Sequence, residues 1–183
     1  MNKKLFEEKI SSSKIFNGEI LKFYFDKVRL PNGNIATREK ISHPGAVGIV
    51  PITKDNRVLL VRQYRYPIND ITVEIPAGKI DEGESPKLCA RRELAEEVGA
   101  VDGKMKSLLS FYTSPGFCDE LLHLFLATGF NQVKNDLDDN EFLDILDIGL
   151  ETAQNWINEG KIKDSKTIIG ILMAGNFLQN GQE

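Results

Sequence analysis

The chain reads as an α+β protein, and two observations lead there. Short runs that alternate apolar and polar residues recur along most of its length, while only a few stretches carry a helical period. No internal repeat and no linker-like tract divides the 183 residues, so residues 1–183 are expected to form a single domain. A content of 41% apolar and 27% charged residues suits a soluble protein with a sizeable core.

The first element expected is a hairpin. Residues 20–30 alternate around Leu21, Phe23, Phe25 and Val28, Pro31-Asn32-Gly33-Asn34 supplies turn chemistry, and residues 35–42 return. This antiparallel N-terminal segment, residues 1–43, either packs against a second subunit or forms a simple sheet edge. Residues 46–53 and 57–63 are Val- and Ile-rich strands around the turn Lys54-Asp55-Asn56, and read as buried core. A short strand at 73–75 exits through Pro76-Ala77-Gly78. Two more strands, 108–112 and 121–127, flank a loop at 113–120, and 142–148 is a last strand with alternation at Phe142 and Leu146. Two helices close the chain. In 150–158 Ala153, Trp156 and Ile157 share a side; in 165–178 Ile168, Ile169, Leu172 and Phe177 do so, with Asp164 as the cap.

Charge and cysteine usage narrow the function. A net charge of -4 with no basic block argues against nucleic-acid or membrane-surface binding. The N-terminus is too polar for a secretory signal and no apolar run approaches the roughly 20 residues that span a bilayer, so a cytoplasmic protein is expected. Cys89 and Cys118 lack framework spacing and are expected to be free thiols. His43 and His123 carry no metal-ligand spacing and read as structural.

The most informative stretch is 78–100, GKIDEGESPKLCARRELAEEVGA. Ser85 as N-cap, Pro86 at the first helical position and Gly99 as the stop define a helix over 86–98. At about 100° per residue, Glu93, Glu96 and Glu97 share one side, and Leu88, Ala90, Leu94, Ala95 and Val98 take the other. Glutamates on a helix are commonly a solvated face. Here, however, Arg91 and Arg92 precede the acids, and Glu93 and Glu97 form a like-charged i, i+4 pair that needs a cation between them. A hard divalent ion such as Mg²⁺ suits a few carboxylates plus phosphate oxygens.

These residues resemble the Nudix box, G-x5-E-x7-R-E-U-x-E-E-x-G-U, with U a bulky apolar residue. Gly78, Glu84, Arg92, Glu93, Leu94, Glu96, Glu97 and Gly99 match; Ala100 stands where a larger aliphatic residue is usual. The resemblance implies a Nudix fold, a mixed β-sheet sandwiched between α-helices, and Mg²⁺-dependent hydrolysis of a diphosphate, with Mn²⁺ as a possible substitute. It also implies the division of labour. Glu93 and Glu97 are the first choice for metal ligands, the Ala77 carbonyl adds to them, and Glu96 ligates directly or through water. Arg92 and Glu96 count among the catalytic residues, Arg92 by orienting these acids through ion pairing. Glu84 steadies loop and helix or serves a second metal. The general base is expected from the acidic loop 136–141, with Glu141 ahead of Asp139; a loop with no chemistry is the competing reading.

Substrate choice rests on further resemblance to the ADP-ribose pyrophosphatase branch. Ser114-Pro115-Gly116, Arg62-Gln63-Tyr64-Arg65-Tyr66, Glu74-Ile75-Pro76-Ala77-Gly78, Ala36-Thr37-Arg38-Glu39 and Lys163-Asp164-Ser165-Lys166-Thr167 all look like it. Candidate substrate contacts are therefore Arg38, Glu39, Arg62, Arg65, Ser114, Gly116 and Glu120. Arginine suits diphosphate oxygens through paired bonds, and Arg38 with Glu39 offers a donor and an acceptor to an adenine edge. The branch implies a homodimer whose N-terminal hairpin completes the partner's adenine pocket. The expected reaction releases AMP and ribose 5-phosphate from ADP-ribose. Two alternatives stand beside it: another nucleoside diphosphate sugar or nucleotide as substrate, and a module that binds ADP-ribose without cutting it.

Overall fold

The structure, a computed structural model, describes residues 4–137 and 142–179. It divides into two compact units, one comprising the chain up to Gly45 with Tyr112–Leu121, the other Ala46–Phe111 and the chain from Leu122.

In the first unit, β1 (Glu8–Asn17), β2 (Lys22–Arg29) and β3 (Ile35–Ser42) form an antiparallel sheet in that order. The expected hairpin is β2 and β3; β1 was not anticipated. Its sequence, EKISSSKIFN, is polar, and every residue in it is exposed, so no apolar alternation marks it. Its register against β2 also shifts twice, between Lys9 and Ser11 and between Lys14 and Phe16. The loop at 113–120 is stitched to β3, with the Ile41 N–H donating to Phe117 O at 2.7 Å and the Asp119 N–H to Ile41 O at 3.1 Å.

The second unit is built on β4 (Ala46–Ile52), β5 (Arg57–Arg65), β6 (Asp70–Glu74), β7 (Ala77–Lys79), α1 (Pro86–Val98), β8 (Ala100–Val101), β9 (Lys104–Tyr112), β10 (Leu121–Thr128), β11 (Asn131–Gln132), β12 (Leu143–Gly149), α2 (Leu150–Asn158) and α3 (Ser165–Gln179). The main sheet runs β12-β5-β4-β10-β9, with β6 paired to β5 and β7 to β4. The β4 and β10 pair is parallel and the β12 and β5 pair antiparallel, so the sheet is mixed.

Strand periodicity places the core. Val47 and Ile49 of β4, Leu59 and Val61 of β5, and Phe125 and Ala127 of β10 join Cys89, Ala90, Leu94 and Val98 of α1 in one cluster. Their neighbours Val50, Ile52, Val58, Leu60, Leu124 and Leu126 face Leu150 and Ala153 of α2 and Ile171 and Ala174 of α3 in the other. The sheet is thus covered by helices on both faces, as the fold class requires. Each fully buried Ile or Leu among these contributes about 1.5–3 kcal/mol.

Several local expectations are corrected. Pro76, Ala77 and Gly78 do not simply leave a strand: Ala77–Lys79 is itself β7, paired with Ala46, Val47 and Gly48, a run too short and too glycine-rich to announce itself. Leu88 is 62% exposed and Cys89 fills its place against the sheet. Phe142 precedes β12 and is 82% exposed, and Leu172 of α3 is exposed while Ile171 is buried. The cysteines are free. Trp156 packs partly buried against the core.

Candidate active site

The box helix is held at both ends. Ser85 Oγ accepts from the Leu88 N–H at 3.4 Å, while Gly99, at φ +65°, returns its N–H to Ala95 O at 3.0 Å. A Cβ at Gly99 would lie 2.1 Å from Val133 O, so both conformation and space demand glycine. Past the helix, the Val133 N–H donates to Gly99 O at 2.8 Å, the Asp136 N–H to Glu96 O at 3.1 Å, and Asn135 Nδ2 to Glu97 O at 3.4 Å. The start of the acidic loop is therefore tied to the last carbonyls of α1. Asp138, Asp139, Asn140 and Glu141, among them both candidates for the base, lie outside the described residues.

The acids themselves are buried more deeply than a solvated face allows. Glu93 is 8% and Glu97 4% exposed. Burying carboxylates is costly unless cations or donors face them. Arg92 supplies much of that: Nη1 donates to Glu93 Oε1 at 2.7 Å and to Glu96 Oε2 at 3.1 Å, while Nε and Nη2 reach Glu84 at 3.1 and 3.0 Å. The Arg92 pKa is raised by its bond to Glu84 and by Glu93, against the opposing effect of burial. Its bond also draws the Glu84 carboxyl below the usual range. Arg92 therefore bridges Glu84 on the loop to Glu93 and Glu96 on α1.

β7 brings the backbone to the same place. The Ala77 N–H donates to Glu97 Oε2 at 3.0 Å. A Cβ on Gly78 would sit 1.8 Å from Glu93 Oε1, so only glycine lets that carboxylate lie against the strand. β7 thus meets Glu97 through Ala77 and Glu93 through Gly78, while Arg92 links Glu93 to Glu96. Hard oxygen donors in this number fit a cation that takes one or two carboxylates and keeps water and phosphate oxygens for its other positions. Among the described residues no three acidic, His or Cys side chains stand preassembled around one point. Arg92 lies between Glu93 and Glu96 instead.

The candidate substrate contacts fall in separate places. In the first unit, Arg38, Glu39 and Gly116 line a cavity of about 390 Å³ with Asp26, Lys40 and Phe117. Arg38 is bound there by Glu7, at 2.9 Å from Nε. Ser114 contributes its carbonyl, which accepts from Phe117 and Cys118, and Glu120 accepts from Thr113 Oγ1 at 2.6 Å. In the second unit, Arg62 faces Asp144 at 2.6 Å beside a cavity of about 640 Å³. Arg65 lines another of about 610 Å³ with Glu74, Lys163 and Lys166.

Glu74 and Lys166 belong to two of the branch-like segments but are not among the candidate site residues. Glu74 is 1% exposed, yet its pKa sits at about 2: burial pushes it up, and bonds from Arg65, Lys166 and Thr72 outweigh that. A lone glutamate among Val73, Ile75, Pro76 and Ala77 is the signal the sequence offers for it.

The NUDIX domain profile matches residues 42–164, which include the whole of this acidic site. The chain belongs to the Nudix family. Among its relatives, a methanol dehydrogenase activator of Bacillus methanolicus is 47% identical over 171 residues, covering 92% of each chain. An ADP-ribose pyrophosphatase of Bacillus subtilis is 40% identical over 92% of each chain, and one of Mycobacterium tuberculosis 38% identical over 90% of this chain and 81% of its own. A crystal structure of an ADP compounds hydrolase superposes with a TM-score of 0.86 over 97% of both chains at 20% identity, which establishes the shared Nudix fold.

Proposed function

We propose that this Nudix hydrolase cleaves the diphosphate of ADP-ribose to AMP and ribose 5-phosphate with Mg²⁺, Mn²⁺ serving as a substitute. The observation that carries the reaction class is the grouping of Glu93 and Glu96 on Arg92, with Glu97 bonded to the Ala77 N–H and Glu93 lying against Gly78. The substrate is supported by the two ADP-ribose pyrophosphatases at 40 and 38% identity over nine-tenths of the chain.

Bound by Glu93, Glu97, Glu96 and the Ala77 carbonyl, a divalent cation would supply charge to the diphosphate oxygens and lower the pKa of water. Arg92 keeps the acids in place while the charge around them changes. Glu141, with Asp139 in reserve, takes the proton from the attacking water; the anchoring of Asp136 to the Glu96 carbonyl favours delivery of that loop to the box. Arg38 and Glu39 complete the adenine pocket of a partner copy, Ser114, Gly116 and Glu120 are further substrate contacts that bear on the choice of sugar, and Arg62 and Arg65 are the candidates for the diphosphate. The protein acts in the cytoplasm as a homodimer with residues 1–183 as one functional domain. In support, the N-terminal sheet carries exposed Ile10, Ile15, Phe16 and Phe25, and no described helix is long and apolar enough to cross a membrane.

Initial rates on ADP-ribose, ADP-glucose, GDP-mannose and a nucleoside triphosphate test this reading. ADP-ribose is expected to give the highest kcat/KM, and preference for the triphosphate would rule the assignment out. A second reading is favoured by the 47% identity to the methanol dehydrogenase activator: the chain also stimulates a methanol dehydrogenase. Adding the purified protein to such an enzyme checks this, and an unchanged turnover removes it.

A further inference from the structure

Residues 163–167 have no task in the proposed reaction, yet they bind the strand that leads into the box. Glu74, at the end of β6, accepts from Arg65 Nε at 2.7 Å and Nη2 at 2.6 Å, from Thr72 Oγ1, and from Lys166 Nζ. One residue on, the Ile75 N–H donates to Thr167 Oγ1 at 2.8 Å. That hydroxyl donates in turn to Asp164 Oδ2 at 2.6 Å, which also accepts the Thr167 N–H at 3.0 Å. Pro76 O accepts from the Ile49 N–H at 2.9 Å, and the next residue, Ala77, donates its N–H to Glu97. Segment 74–77 is therefore held by the first turn of α3 at one end and by the box helix at the other.

We propose that Thr167, backed by Asp164 and Lys166, is a positioning residue for the box. Through Ile75 it fixes where the Ala77 backbone meets Glu97, and thereby how tightly the acid face takes a divalent ion. Thr167 is fully buried and its hydroxyl both accepts and donates, so valine, which matches its shape, removes two bonds without opening a cavity. Arg65 belongs to the same clamp through the two nitrogens it places on Glu74.

The test uses the full chain with Thr167→Val and Thr167→Ser. Binding of Mn²⁺ alone is followed by the electron paramagnetic resonance of the free ion, and kcat and KM are measured on ADP-ribose. Thr167→Val is expected to weaken Mn²⁺ binding by about tenfold or more and to lower kcat by a similar factor with KM unchanged. Thr167→Ser restores both. Wild-type Mn²⁺ affinity in folded Thr167→Val, or a serine variant as impaired as the valine one, overturns the proposal. Should Thr167→Val fail to fold by circular dichroism, Lys166→Met is titrated in its place, and wild-type affinity there overturns it equally. The rate arm rests on the reading of the chain as an ADP-ribose hydrolase; the Mn²⁺ arm does not. A wild type that binds Mn²⁺ but leaves ADP-ribose intact sinks that reading while the titrations still decide this one.

Discussion

Glu74 shows how one residue couples the stability of the second unit to pH. Its folded-state pKa of about 2 lies below the usual 4.5, so the unfolded chain binds a proton more readily than the folded one. The resulting stabilisation is complete above pH 4.5 and is lost progressively as pH falls toward 2. Urea midpoints measured between pH 6 and pH 3 are expected to fall steeply for the wild type and more gently for Glu74→Gln. Equal slopes would show that the Arg65 and Lys166 bonds do not hold this carboxylate in solution. Cys89 behaves oppositely: burial first, with Glu84 adding to it, pushes its thiol up to about 12, so it serves packing under α1 and not reactivity.

At the scale of elements, the box is a strand, a loop and a helix that share one constraint, the close approach of backbone to carboxylate. The helix was legible because its signals are local: Ser85, Pro86 and Gly99 mark its ends, and each is where the structure uses it. Its buried face was less so. Periodicity alone assigns Leu88 to the core, whereas the sheet meets α1 through Cys89, Ala90 and Leu94, and the acids are buried because Arg92 and the Ala77 N–H face them. β1 and β7 escaped notice for a related reason. A strand with every residue exposed, and one of three residues, take their identity from partners that lie elsewhere in the chain. Gly99 tests the helix end. Gly99→Ala forces a left-handed φ on a residue with a Cβ and drives that atom toward Val133 O, so urea denaturation is expected to show a loss of more than about 1 kcal/mol. A neutral result would mean that the segment after α1 shifts freely, and with it the anchoring of the acidic loop.

For the whole molecule, the proposed homodimer would draw on the N-terminal sheet, where Ile10, Ile15, Phe16 and Phe25 are exposed. Light scattering at micromolar concentration is expected to give twice the 20.5 kDa chain mass, and Phe16→Glu to reduce it. A wild-type monomer removes the homodimer from the account. In the first unit Arg38, Glu39 and Gly116 line one cavity, and Ser114 contributes its carbonyl to the loop that carries Gly116. What the sequence could not convey was that Arg65 and Arg62 are each engaged by an acid, Glu74 and Asp144, because those pairings are made across strands. The central claim is that the acids of the box carry metal-assisted cleavage of ADP-ribose. Its most direct test is chromatographic product analysis of ADP-ribose incubated with Mg²⁺ and either the wild type or Glu97→Gln, a change that keeps the side chain's shape. The account predicts AMP and ribose 5-phosphate from the wild type, and a rate lower by on the order of 100-fold or more in the folded variant; undiminished cleavage by Glu97→Gln would contradict it.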